Sequence, residues 1–294
     1  MANQNVSSRA TLVNLSASAW GQHKSDSEVT EEVLVKHEAE KHSGSFKKRL
    51  LNKRATAGIR SVKSAARTFH NHMTLPWLED GTRILANVNH IDYVSKIGEH
   101  INIFNQAVDE FIKEYPNHVK IAKKELGKLF DEKDYPDPKV VRSKYKLRTV
   151  FLPWPKKEDF RGDIDPNIIK EIGDNLDARL EEILKGSMSN IAERIVEVVG
   201  HMSERLKKYK PGDSNGNKAE GKFHDSMVHH VRDLASLLPG FNLTDNPKIT
   251  AITKTIQEKL AIHDPDVLRD VIKVRKQVIK DADDVLKKAK EFLT

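Results

Sequence analysis

The chain has 294 residues, with 50 Lys plus Arg against 43 Asp plus Glu and a formal charge of +7. Its 38% hydrophobic, 32% charged and 6% aromatic content suits a packed core of helices with wet outer faces. No apolar run reaches the roughly 18 residues of a membrane span, and zero Cys removes disulfides, thiolate nucleophiles and cysteine zinc sites.

Met1 to Trp20 offers no basic flank and no continuous apolar stretch, so no secretory signal is expected and the reading is cytoplasmic. Residues 1–40 are expected to be partly mobile, with Val13, Leu15, Ala17 and Ala19 alternating weakly like a strand. Val29 to Ala39 predicts a short acidic helix, and Ser43-Gly44-Ser45 then breaks it and offers a cap. Leu51, Ala55, Ile59, Val62, Ala66, Phe69 and Met73 recur at spacings of three and four, which predicts a helix. The Thr74 to Gly81 stretch reads as a loop anchored by Trp77. Ile91 to Tyr115 predicts a second helix, interrupted by Pro116, and Val119 to Phe130 a third. A short helix is expected at Val140 to Ser143, then a strand at Lys146 to Leu152 stopped by Pro153-Trp154-Pro155. That strand needs a partner, and the Leu12 to Ala19 and Arg83 to Leu85 segments are the candidates.

From Asp165-Pro166 helical periodicity runs to Tyr209, more than forty residues and about 60 Å if continuous. Such a helix requires partners, expected at Phe223 to Leu238, Ile249 to Leu260 and Val267 to Leu293. The fold class is therefore mainly α: an elongated helical bundle or coiled-coil arm with a small β element near residues 146–152. The expected organisation is an N-terminal segment at 1–40, a basic helix with further helices and the β element at 41–163, and the long helices at 164–294.

Charge is concentrated in one place. Residues 41–78 carry nine Lys and Arg and no acid, while the remainder of the chain nearly balances. Arg49, Lys53, Arg60, Lys63 and Arg67 follow the rhythm of the apolar stripe and would form a ridge beside it, joined by Lys47, Lys48 and Arg54. Like charges at i,i+4 repel, so a ridge of one sign points to an anionic partner, with phosphate charge neutralised and counterions released. Nucleic acid is the leading reading, DNA ahead of RNA. The competing reading is a solvated face whose acids arrive from another helix; a membrane surface lacks the aromatic face it would want.

Other motifs carry less. Gly216 to Phe223 matches the G-x-x-x-x-G-K part of a phosphate-binding loop, but Phe223 stands where Ser or Thr would ligate magnesium and no strand precedes it. His224, His229, His230, Glu220 and Asp225 are the densest group of potential ligands, yet His229 and His230 diverge by about 100° on a helix, and no metal or cofactor is expected. Glu181-Glu182 and Asp283-Asp284 splay apart on helices, whereas Glu158 to Asp163 reads as an ion-paired turn. Trp77, Trp154 and Phe160 could stack on bases or anchor loops in a core. No catalytic residue is predicted.

The run Thr68 to Gly81, the phrases Tyr135-Pro-Asp-Pro and Arg148 to Arg161, and Phe223-His-Asp-Ser-Met resemble an uncharacterised family of proteins from tailed phages and prophages. The resemblance covers most of the chain from about residue 40. It implies a phage accessory protein in the host bacterial cytoplasm, supplies no catalytic residues, and implies at most a protein partner such as a phage AAA+ ATPase. The combined expectation is a non-enzymatic nucleic-acid-binding protein that self-associates. The alternative is a structural or adaptor protein whose basic helix meets an acidic protein.

Overall fold

Successive strand residues point to opposite faces, so the adjacent buried pair Leu12 and Val13 and the buried run Ile84 to Ala86 make two strands covered on both faces at those positions. The computed structural model describes residues 6–78, 80–156, 159, 165–211 and 220–293. It is mainly α with a small antiparallel β element, and 66% of it is helical. The strands are β1 (Ala10–Ser18), β2 (His23–Asp26), β3 (Phe46–Arg49), β4 (Leu75–Pro76), β5 (Thr82–Ala86) and β6 (Lys146–Leu152). The helices are α1 (Ser27–Lys36), α2 (Ala57–Met73), α3 (His90–Leu126), α4 (Pro138–Lys144), α5 (Pro166–Lys208), α6 (Ser226–Phe241), α7 (Pro247–Lys259), α8 (Pro265–Asp270) and α9 (Ile272–Lys290). Among the described residues no helix is long and apolar enough to cross a membrane.

The chain forms two compact units that cut across the divisions expected at 40 and 163. Unit 1 takes residues 1–14, 71–93 and 151–294; unit 2 takes 15–70 and 94–150. The larger sheet has the order β4-β5-β1-β6, and β2 and β3, with α1 between them in sequence, form a second sheet of two antiparallel strands. Ala10 to Asn14 of β1 pair antiparallel with β5 in unit 1, from Ala10 opposite Ala86 to Asn14 opposite Thr82. In unit 2, Ser16 Oγ donates to the Arg148 carbonyl at 3.5 Å, and Ser18 Oγ donates to that of Lys144 at 2.9 Å. The strand expected at 146–152 thus lies next to the Leu12 to Ala19 segment, with Arg83 to Leu85 on the far side of β1.

Unit 1 is organised by α5, which begins at Pro166 with the Asp165 carboxylate accepting from the Asn167 amide and runs unbroken for 43 residues. Its Leu180, Ile191, Ile195, Val199, Met202 and Leu206 are buried, with α6 and α9 packed along it. Near its middle, Arg194 finishes the last turn of α2, whose carbonyls have no intrahelical partners. The guanidinium donates to the carbonyls of Asn71, His72 and Thr74 at 2.7 to 2.8 Å and lies 5.0 Å from the Phe241 ring centre. Arg83 adds a 3.1 Å bond to the same Thr74 carbonyl. Burial, and then the Arg83 charge, pull the Arg194 pKa down to about 10, so it remains charged at neutral pH.

Three helix boundaries differ from the periodicity. Pro116 lies inside α3 rather than ending it, exposed on the outer face while Phe111, Tyr115 and Ala122 bury the inner one. The expected terminal helix divides at extended Val271, where buried Arg275 donates to the carbonyls of Leu268 at 3.0 Å and Arg269 at 2.7 Å. The expected basic helix starts only at Ala57, and its first part is strand β3 followed by a turn.

Candidate nucleic-acid interface

The antiparallel β2–β3 pair sets His23 opposite Arg49 and Lys24 opposite Lys48. Two lysines on one rung repel, and the structure places Asp134 between them. The Asp134 side chain is 1% exposed; Lys48 Nζ stands 2.9 Å from its Oδ2, and Lys24 pairs with its Oδ1. Lys48 also lies 3.3 Å from Asp26 Oδ2 and donates to the Leu129 carbonyl at 2.8 Å. Burial lowers the Lys48 pKa, and the bonds to Asp134 and Asp26 more than offset it, leaving it raised. Burial likewise raises Asp134, and Lys24 and Lys48 outweigh it, leaving that carboxyl below its ordinary value. Lys48 is thus a core cation of unit 2 with its donors used, which corrects its expected place on an exposed ridge. The signal that reassigns it, Asp134, lies far away in sequence.

The remaining expected residues face outward. Lys47, Arg49, Lys53, Arg54, Arg60 and Arg67 are exposed and Lys63 is half-buried. Within α2, Ile59 and Ala66 are buried, and Arg60, Lys63 and Arg67 occupy the strip beside them as the spacing predicts. Arg49 and Lys53 are not on that helix. Arg49 Nε meets His23 Nε2 at 3.3 Å, and the Lys53 carbonyl accepts from Arg60 Nη2 at 2.5 Å, so the turn folds back against the first helical residues. Among the described residues, none of these seven cations makes an ion pair with a carboxylate. Elsewhere some exposed cations pair, as in Lys96 with Glu99, Arg179 with Glu182 and Lys207 with Asp283, while others, such as Lys113 and Lys276, make no ion pair among the described residues.

Two recesses of unit 2 open among these residues. One, of about 230 Å³, is bordered by Arg60, Lys63 and His23, with Trp20 and Tyr145 among its walls. The other, of about 380 Å³, lies between Arg49, Lys53, Leu51, Ala122, Glu125 and Leu126. Asn52 Nδ2 donates to Glu125 Oε1 at 3.0 Å in its wall. Trp20, which the sequence reading did not single out, is half-buried and meets Tyr115 edge to face at 5.8 Å. No local signal marks it, since its neighbours in the cleft come from three separate stretches of chain.

Trp77 and Trp154 belong to unit 1, where their rings pack edge to face at 4.9 Å; they are core anchors. Among the described residues no three His, Asp or Glu gather as a metal site. Asp225 is engaged by Arg269, and Glu220 by Lys210 at 2.7 Å. The Gly216 to Ala219 part of the loop-like match, and Phe160 with most of Glu158 to Asp163, lie outside the described residues. Compared with protein-family models, curated proteins and solved structures, the chain matches none.

Proposed function

We propose that this protein binds nucleic acid, DNA in preference to RNA, without acting on it as an enzyme. The contacts are Lys47, Arg49, Lys53, Arg54, Arg60, Lys63 and Arg67. The observation that carries this reading is that seven cations crowd one stretch of unit 2 with no carboxylate partner among the described residues. Leaving like charges together unneutralised costs stability in the free protein, and phosphates would remove that cost. Contacts of this kind bind a backbone with little choice of sequence.

The test is fluorescence anisotropy with single-stranded and duplex oligonucleotides at two salt concentrations. Dissociation constants below about 10⁻⁶ M near physiological salt, with a steep salt dependence, are expected. Joint replacement of Arg49, Lys53, Arg60, Lys63 and Arg67 by Gln should abolish binding and leave the fold intact. No binding by the wild type at low salt overturns the proposal.

The second reading, an acidic protein partner, is favoured by the recess between Arg49 and Lys53, whose Leu51, Ala122 and Leu126 walls suit apolar side chains. A partner displaced by DNA would share the surface; one that is not would use another. A role as a phage accessory protein, and self-association, extend the same proposal. The first rests on the resemblance of phrases alone. The apolar stripe expected to drive self-association already packs inside unit 1 on α6 and α9, so sedimentation should test whether another face serves.

A further inference from the structure

We infer that the smaller recess of unit 2 receives one unpaired base, so that the ligand is a single-stranded nucleic acid rather than a duplex. This rests on the nucleic-acid reading and goes beyond it, because phosphate contacts alone do not distinguish the two forms. The floor is apolar, formed by buried Ile59, Phe104 and Tyr145, and Trp20 stands half-exposed at the wall. Arg60 and Lys63 border the same space, placed to take the phosphates on either side of an inserted base. The volume, about 230 Å³, is below the roughly 300–1,000 Å³ of pockets that engulf a drug-sized molecule, and fits one ring system of a longer ligand. Two polar side chains line the cleft as well, Tyr145 and Gln22. Burial raises the Tyr145 pKa, and the hydrogen bond with Gln22 opposes this. A base edge supplies both donors and acceptors for such a phenol and amide. In a duplex the bases are stacked and paired and cannot enter, whereas a single strand presents them freely.

The experiment compares three ligands of equal length on the full chain: a single strand, its duplex, and a single strand of abasic sites that keeps the phosphates. Single strand should bind at least about tenfold tighter than the abasic chain. Trp20→Ala should remove most of that advantage and leave duplex and abasic affinity unchanged, and Trp20→Phe should restore much of it. The abasic comparison uses the wild-type protein, so it stands even if Trp20→Ala does not fold. Equal affinity for single strand, abasic chain and duplex overturns this inference while the nucleic-acid reading stands. A free mononucleotide that binds as tightly as the strand overturns the single-strand assignment. Absence of binding to all three overturns both.

Discussion

Lys48→Met separates a structural cation from the outward-facing cations that surround it in sequence. The substitution keeps the buried stem and deletes the ammonium. It removes the 2.9 Å pairing with Asp134, the 3.3 Å pairing with Asp26 and the 2.8 Å bond to the Leu129 carbonyl. Breaking a buried pair by deleting one partner costs about 3–5 kcal/mol, because the survivor stays desolvated and uncompensated. Asp134 retains Lys24, so the lower end, about 3 kcal/mol, is expected. In urea this lowers the unfolding midpoint by about 1 M for a slope near 3 kcal/mol/M, read by circular dichroism. The pH dependence follows from the depressed Asp134 carboxyl. A carboxylate whose folded pKa lies below its unfolded value of 3.8 adds stability that is present above that value and lost as pH falls through the folded one. With Lys48 gone the folded pKa rises, and acid unfolding should begin at higher pH. Arg60→Gln is the control and should shift stability by no more than about 0.5 kcal/mol. A Lys48→Met protein as stable as wild type, with an unchanged acid limb, refutes the reasoning.

Ile195→Asp puts an unpaired carboxylate at a fully buried position of α5, and should unfold unit 1 at temperatures where the wild type is intact, as calorimetry would show. Arg194→Ala strips donors from three carbonyls at the end of α2 and should cost about 2–4 kcal/mol in chemical denaturation. Arg194→Lys should recover little of it, since an ammonium cannot reproduce a planar fork stacked on Phe241. For binding, with all seven proposed cations on phosphates, log affinity for a single strand should fall with log salt at a slope of about −5, and Lys63→Gln should reduce its magnitude by about 0.7. A slope unchanged by Lys63→Gln would place that side chain away from the phosphates.

Elements with a local cause were legible in the sequence. The Asp165-Pro166 start of α5 and its length follow from capping chemistry and periodicity, and the need of a strand for a neighbour narrowed the partner of β6 to two segments, of which the fold uses β1. The differences have distant causes. Leu51 and Ala55 keep helical register with Ile59, yet their segment leaves the helix because the strand before it is held by Asp134 and by the Tyr135 hydroxyl donating to the Leu50 carbonyl at 2.8 Å. Pro116 stays within α3 because burial of Phe111, Tyr115 and Ala122 outweighs one lost backbone bond. The break at Val271 has no Gly or Pro to announce it; Arg275 caps it from the next helix, with Tyr209 5.3 Å away. In the candidate site, Arg60, Lys63 and Arg67 were readable from spacing, whereas Trp20 and Tyr145 join them only through the fold.

The acid-free stretch from 41 to 78 therefore has two physical components that composition merges. Lys48 is neutralised by Asp26 and Asp134 at the β2–β3 pair, while the seven cations around it have no such partner among the described residues. Unpaired lysines also occur elsewhere on the exposed surface, as at Lys113 and Lys276, and there Asp and Glu are interspersed along the same helices. The stretch from 41 to 78 differs in holding its cations with no acid between them. The apolar cleft bordered by Arg60 and Lys63 bears on the proposal, since phosphate attraction draws in any polyanion while an apolar wall adds affinity only for one that carries rings. The proposed single-stranded ligand would use the cleft and the cations together.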